Sequence, residues 1–175
     1  MFCKTLFEAA QKFLMRNFVE VSQASDELLE LGVEDVLQVF GDDKLNVKNE
    51  EMVWEAAMRW IRHNEEARKD NIVELLSQIR TGLMETQYFM EHVKDHPYVH
   101  GNEGCRPIVI ETLRFLYDLE VITERDGEIP TPGIARPRIP HEVLFAIGGW
   151  SGGNSFSKVW SWNYNRNFVS LMGFL

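Results

Sequence analysis

The chain has 175 residues, 45% of them hydrophobic and 26% charged, enough for one solid domain and part of another, with the composition of an ordinary globular protein. Its formal net charge is −9; residues 141–175, with Lys158, Arg166 and Glu142, sum to +1, which leaves −10 on residues 1–140. Such an acidic surface excludes nucleic acid and anionic membranes as partners, because phosphate binding relies on clustered Lys and Arg.

Leu6, Ala9, Ala10 and Phe13 recur at helical spacing, with Glu8, Gln11 and Lys12 pointing elsewhere, which predicts an amphipathic helix over about residues 4–17. Ser25 is the expected N-cap of the next element, with Asp26 and Glu27 opposing the helix dipole in its first turn. Gly32 separates two short helices, about 26–31 and 33–40, whose Leu28, Leu29, Leu31, Val36, Leu37 and Phe40 are expected to pack inward.

A helix over about residues 50–63, capped by Asn49, carries a single polar stripe of Glu51, Glu55, Arg59 and Arg62. Glu55 and Arg59 form a favourable i,i+4 pair on it. The rest is apolar, including Trp54, Met58 and Trp60, so the helix is expected to have neighbours on both sides. Burial of Trp60 alone is worth roughly 1.5–3 kcal/mol. Ile72, Leu75, Leu76 and Ile79 predict the next helix, and Thr86 caps a shorter one through Tyr88, Phe89 and Val93. Pro107 suits the first turn of a last helix carrying Val109, Leu113, Leu116 and Tyr117. The predicted fold class is all-α, a stack of five to seven helices joined by short loops.

Residues 126–140 hold four of the six prolines. This density favours an extended, semi-rigid chain, and places the boundaries at 1–125 for the helical domain, 126–140 for a proline-rich linker and 141–175 for an incomplete β tail. In the tail, Val143-Leu144-Phe145-Ala146-Ile147 has strand length, and Phe156, Lys158, Trp160, Trp162 and Tyr164 alternate with smaller or polar residues at strand period.

Cys3 and Cys105 make no disulfide framework, the N-terminus lacks a signal-peptide pattern, and no apolar run approaches the roughly 20 residues that span a bilayer. A reducing, cytoplasmic location is the expectation.

The segments Lys12-Phe13-Leu14, Asn17-Phe18-Val19-Glu20-Val21, Asp43-Lys44-Leu45-Asn46-Val47, Trp60-Ile61 and Arg80 resemble the BACK domain of kelch-like proteins. Pro140 to Gly153, with Phe145-Ala146-Ile147-Gly148-Gly149-Trp150, resembles the entry strand of a kelch propeller, although the family's usual Tyr-Asp and spaced Trp do not follow it. The resemblance implies a substrate adaptor of a cullin-3 RING ubiquitin ligase. In that family a BTB domain dimerises and binds the cullin, the BACK domain is the spacer and the propeller holds the substrate. The chain is then expected to be a non-catalytic scaffold fragment between a missing BTB domain and a missing propeller, with cullin-3 and an unknown substrate as protein partners. A kelch blade takes about 50 residues and a propeller 4–8 blades, so residues 141–175 are expected to be a truncated start. The alternative is a free-standing helical interaction module that recruits no ligase.

Other groupings point to simpler readings. His92, His96 and His100 stand at i, i+4 and i+8, a zinc-like spacing, but Pro97 and Gly101 break the helix that would align them; they read as solvated surface histidines. Gly148-Gly149-Trp150-Ser151-Gly152-Gly153 lacks a phosphate-loop Lys and reads as a blade turn. Cys105 has His100 near it in sequence only and reads as an inert or buried thiol. Trp54, Met58 and Trp60 read as core, and the Glu51, Glu55, Arg59, Arg62 stripe as a solvated face. No catalytic, cofactor-binding or metal residue is assigned, and no cofactor is expected.

Overall fold

The computed structural model describes residues 4–122 and 131–139, and beyond them the backbone of five short strands. The chain divides into two compact units, Met1–Arg138 and Ile139–Leu175.

The first unit is helical. Its α-helices are α1 (Lys4–Arg16), α2 (Phe18–Ala24), α3 (Val33–Gly41), α4 (Glu51–His63), α5 (Glu65–Arg68), α6 (Ile72–Gln78), α7 (Thr86–Tyr88) and α8 (Arg106–Ile122). Asn17 ends the first predicted helix, and α2 after it has no counterpart among the sequence expectations. The Asn17 backbone N–H and side-chain Nδ2 both donate to the Phe13 carbonyl at 2.9 Å. Asn46 serves the same helix end from a distant loop: its backbone N–H reaches the Met15 carbonyl at 2.9 Å, and its Nδ2 the Arg16 carbonyl at 2.8 Å.

Several boundaries differ from the sequence expectation. The helix expected at 26–31 is a 3₁₀ turn, Glu27–Glu30, in which the Ser25 hydroxyl accepts only the Glu27 N–H at 3.1 Å. Asn49 does not cap α4; Glu50 stands at that position and its carboxylate is used elsewhere. Thr86 is the first residue of α7 rather than its cap. From α7 the chain widens into a π-helix, Phe89–Lys94, which turns Phe89 and Val93 into the core.

The core is built around α4. Trp54, Met58, Trp60 and Ile61 are at most 2% exposed, and they pack with Phe18, Phe40, Leu75, Leu76 and Phe89 in one continuous cluster. Phe18 meets Phe40 edge to face, with ring centroids 5.9 Å apart, a favoured aromatic geometry. The buried indole of Trp60 donates to the Leu31 carbonyl at 3.0 Å, and the Arg68 guanidinium lies 4.2 Å from the Trp60 ring centroid. The wide apolar arc of α4 is thus covered on more than one side. Of the apolar residues read on α8, Leu116 is buried, Leu113 is half-buried and Tyr117 is exposed.

Residues 131–139 belong to this unit up to Arg138. They form a 3₁₀ turn, Gly133–Ala135, seated beside the 3₁₀ turn Thr81–Leu83. Gly82 is the point of closest approach: a Cβ there would lie 3.0 Å from both the Ala135 Cβ and the Phe115 ring. Ala135 is buried as a result.

In the second unit, β1 (Leu144–Ile147), β4 (Lys158–Asn163) and β5 (Phe168–Gly173) form an antiparallel sheet in the order β1-β4-β5. The strands β2 (Trp150–Ser151) and β3 (Asn154–Ser155) form a separate antiparallel pair. The first predicted strand is present as β1, and the alternating aromatic segment supplies β4, where Trp160 pairs with Ala146. The strand β5 has no counterpart among the sequence expectations. The paired glycines at 148–149 and 152–153 lie outside the described residues. No helix among the described residues is long and apolar enough to cross a membrane.

Candidate functional site

Two surfaces of the helical unit carry features that packing alone does not require. The first is the outer face of α1. Leu6, Phe7 and Phe13 are 68%, 65% and 63% exposed, and α1 reaches the core chiefly through Met15 at its C-terminal end. The apolar periodicity therefore marks a helix whose stripe is left open among the described residues. Beside it, Phe7, Ala10, Phe13 and Leu14 face Val21, Leu28, Leu31 and Val39 across a groove of about 590 Å³, with Glu27 and Asp35 among its lining residues. Clustered exposed aromatics of this kind mark interaction sites.

The second is a polar cluster where residues 136–138 return to the helices. Arg138 forms a two-point ion pair with Glu50, Nε to Oε1 at 2.6 Å and Nη2 to Oε2 at 2.9 Å. Its Nη1 donates to the Asp42 carbonyl at 2.8 Å. Glu50 Oε2 also accepts the Arg80 backbone N–H at 3.2 Å. Arg80 donates through Nη1 to the Arg136 carbonyl at 2.7 Å and through Nη2 to Asp43, and Arg136 also pairs with Asp43. The hydrogen bond from Arg136, helped by Arg80, holds the Asp43 carboxyl down at about 2 despite the opposing cost of burial. Every charge in the cluster has an opposite neighbour, which is the condition for tolerating buried ions. Next to it the buried hydroxyls of Thr81 and Thr112 share a hydrogen bond of 2.6 Å.

The residues singled out in sequence go to other places. The stripe on α4 is only partly a solvated face. Glu51 is buried and one of its oxygens accepts the Glu85 N–H at 2.9 Å. Glu55 accepts the Tyr88 hydroxyl. Arg59 turns from Glu55 to Asp26, at 2.6 Å, and to the carbonyls of Ser22 and Ser25. Burial, then the Glu55 hydrogen bond, pushes the Tyr88 hydroxyl well above its ordinary pKa. Trp54, Met58 and Trp60 lie in the core.

The histidines do not converge. His92 stacks on Tyr88, while His96 is half-buried with its ring edge-to-face against Trp54 at 5.4 Å. His96 is therefore no solvated surface residue; burial, helped by Arg62, lowers its pKa. Among the described residues no three His, Cys, Asp or Glu side chains are grouped as a metal site requires. Cys105 is fully buried and its thiol is pushed up by that burial, the reverse of what a nucleophile needs. Cys3 lies outside the described residues.

Sequence reasoning missed the clamp of Arg136 and Arg138 because it joins residues as far apart as 96 positions. The signal available was Arg-Pro-Arg itself, two cations inside a proline-rich segment of an acidic chain.

The helical unit thus combines a buried apolar core, an open apolar helix face and an internal ion clamp. A protein-family comparison names the class: residues 1–94 match the model described as BACK, BTB And C-terminal Kelch. The match spans more than half of the chain, which belongs to the BACK family. That domain is of a non-catalytic scaffold type and occurs in BTB-kelch adaptors of cullin-3 ligases.

Proposed function

We propose that the chain is the spacer of a kelch-like substrate adaptor for a cullin-3 RING ubiquitin ligase. The observation that carries this reading is the BACK match over residues 1–94. The open face of α1 supports it, because a BTB-side helical segment has an apolar stripe of Leu6, Phe7 and Phe13 to cover. Within the family we place the chain nearest to kelch-like protein ten, on Tyr88-Phe89-Met90 and the segment 140–153. The proposed division is a helical spacer over 1–125, a proline-rich connection over 126–140 and the start of a kelch propeller over 141–175. The proposed location is the cytoplasm, and the proposed partners are the cullin-3 complex and a protein substrate.

The spacer contributes geometry: holding a substrate near the ligase raises its effective concentration without new chemistry. The test is ubiquitin transfer in a reconstituted cullin-3 reaction. A kelch-like BTB domain is fused ahead of this chain, and an acceptor peptide follows residue 175. The fusion should ubiquitinate the peptide faster than one in which residues 4–122 are replaced by a flexible linker of equal length. Equal rates would refute the spacer role. Strong capture of cullin-3 by the chain alone would refute the assignment of that contact to a BTB domain.

A further inference from the structure

We infer that Arg136 and Arg138 form a latch that fastens the end of the proline-rich segment to the helical unit and so fixes the point from which the chain continues at Ile139. Three observations carry this. The Arg138–Glu50 pair is bidentate and each side chain is only 3% exposed, which specifies direction as well as distance. A second pairing, Arg136 and Arg80 on Asp43, lies two residues upstream in the strap, so the strap is held at two successive points and cannot pivot about one. The third is steric: Gly82 leaves just enough room for the strap's Ala135 to lie against the helices, with the Ile134 carbonyl 3.2 Å from where a Cβ would stand.

Prolines alone make a stiff spacer with free ends. The latch makes residues 131–138 part of the helical body instead. Its release would lengthen the reach of whatever follows by up to about 3.3–3.6 Å per residue, roughly 25–30 Å in all. All of these contacts lie within the helical unit and hold whether or not the chain serves a ligase.

Limited trypsin digestion of the full chain tests the latch. The Arg136–Pro137 bond is a poor tryptic site because proline follows, so the informative bond is Arg138–Ile139. A buried, doubly bonded Arg138 should be cut slowly, and Glu50→Gln should raise the rate at that bond at least tenfold. Cleavage after Lys12 and Arg16, both exposed on α1, serves as the internal standard and should not change. Gly82→Ala, which alters no charge, should raise the same rate through steric displacement. Faster cleavage at Arg138 in either variant, with the α1 sites unchanged, supports the latch. Three results overturn it: rapid cleavage there in the wild-type chain, no change in either variant, or acceleration that always includes the α1 sites, which is general unfolding.

Discussion

Arg138 and Glu50 stand 88 residues apart in sequence and meet as two parallel hydrogen bonds of 2.6 and 2.9 Å, each side chain only 3% exposed. The pair joins a proline-rich segment to the N-terminal end of the central helix α4. Truncating one partner strands the other's charge in the interior. Arg138→Ala should therefore destabilise the helical unit by about 3–5 kcal/mol, the usual loss on breaking a buried pair. Urea unfolding followed by circular dichroism measures it; a loss below about 1 kcal/mol, typical of an exposed pair, would show that the pair is solvated.

Trp60 fills the core, donates to the Leu31 carbonyl and supports Arg68 on its ring face. Trp60→Ala should cost about 3–5 kcal/mol, with cavity and lost transfer energy combined. Trp60→Phe should retain most of the packing and leave the Leu31 carbonyl without its donor, a smaller loss of about 1–3 kcal/mol. Denaturant midpoints of the two variants should rank in that order.

Asp43 has its carboxyl lowered from 3.8 to about 2, first by the hydrogen bond from Arg136 and then by Arg80. A depressed carboxylate stabilises the fold fully above its unfolded pKa, and that contribution is lost as pH falls through the folded value. The strap should accordingly hold at pH 6 and loosen between about pH 4 and pH 2. Asp43→Asn should remove this acid-dependent step. Trypsin does not work at low pH, so hydrogen exchange of residues 131–139 is the suitable measurement.

Phe7 and Phe13 are mostly exposed on α1. Phe7→Asp with Phe13→Asp should change unfolding free energy by no more than about 0.5 kcal/mol per site, as for ordinary surface changes. The same pair should abolish association with a BTB-side segment in titration calorimetry. Strong destabilisation would mean that the two rings are structural in the isolated chain.

Much of the architecture was legible. The helices at 4–16, 33–41, 51–63, 72–78 and 106–122 stand close to where apolar periodicity put them; α3, α4 and α6 bury their apolar stripes, whereas that of α1 stays exposed. The irregular elements were not. A 3₁₀ turn at Glu27–Glu30 and a π-helix at Phe89–Lys94 have apolar spacings too close to α-helical ones to be told apart over one turn. Cap assignments failed where the capping position was claimed by longer-range partners: Glu50 precedes α4 but serves Arg138 and Arg80. The polar stripe of α4 misled for the same reason, since local spacing matched Arg59 to Glu55 while the fold matched it to Asp26. Of the two features, the α1 stripe was visible as periodicity but not as exposure, and the clamp showed only its cations, Arg136 and Arg138, because their partners Asp43 and Glu50 lie in distant segments.

The distance between Glu50 and Arg138 along the chain also orders events during synthesis. The helical neighbours α1 with α2, and α4 with α5, can meet soon after each emerges, whereas Glu50 waits for Arg138. Chain growth at about 5–20 residues per second separates the two by roughly 4–18 seconds. Throughout that interval Glu50 lacks its principal cation. Arg138 therefore acts as a closing stitch, and the helical body reaches full strength only when translation has passed it.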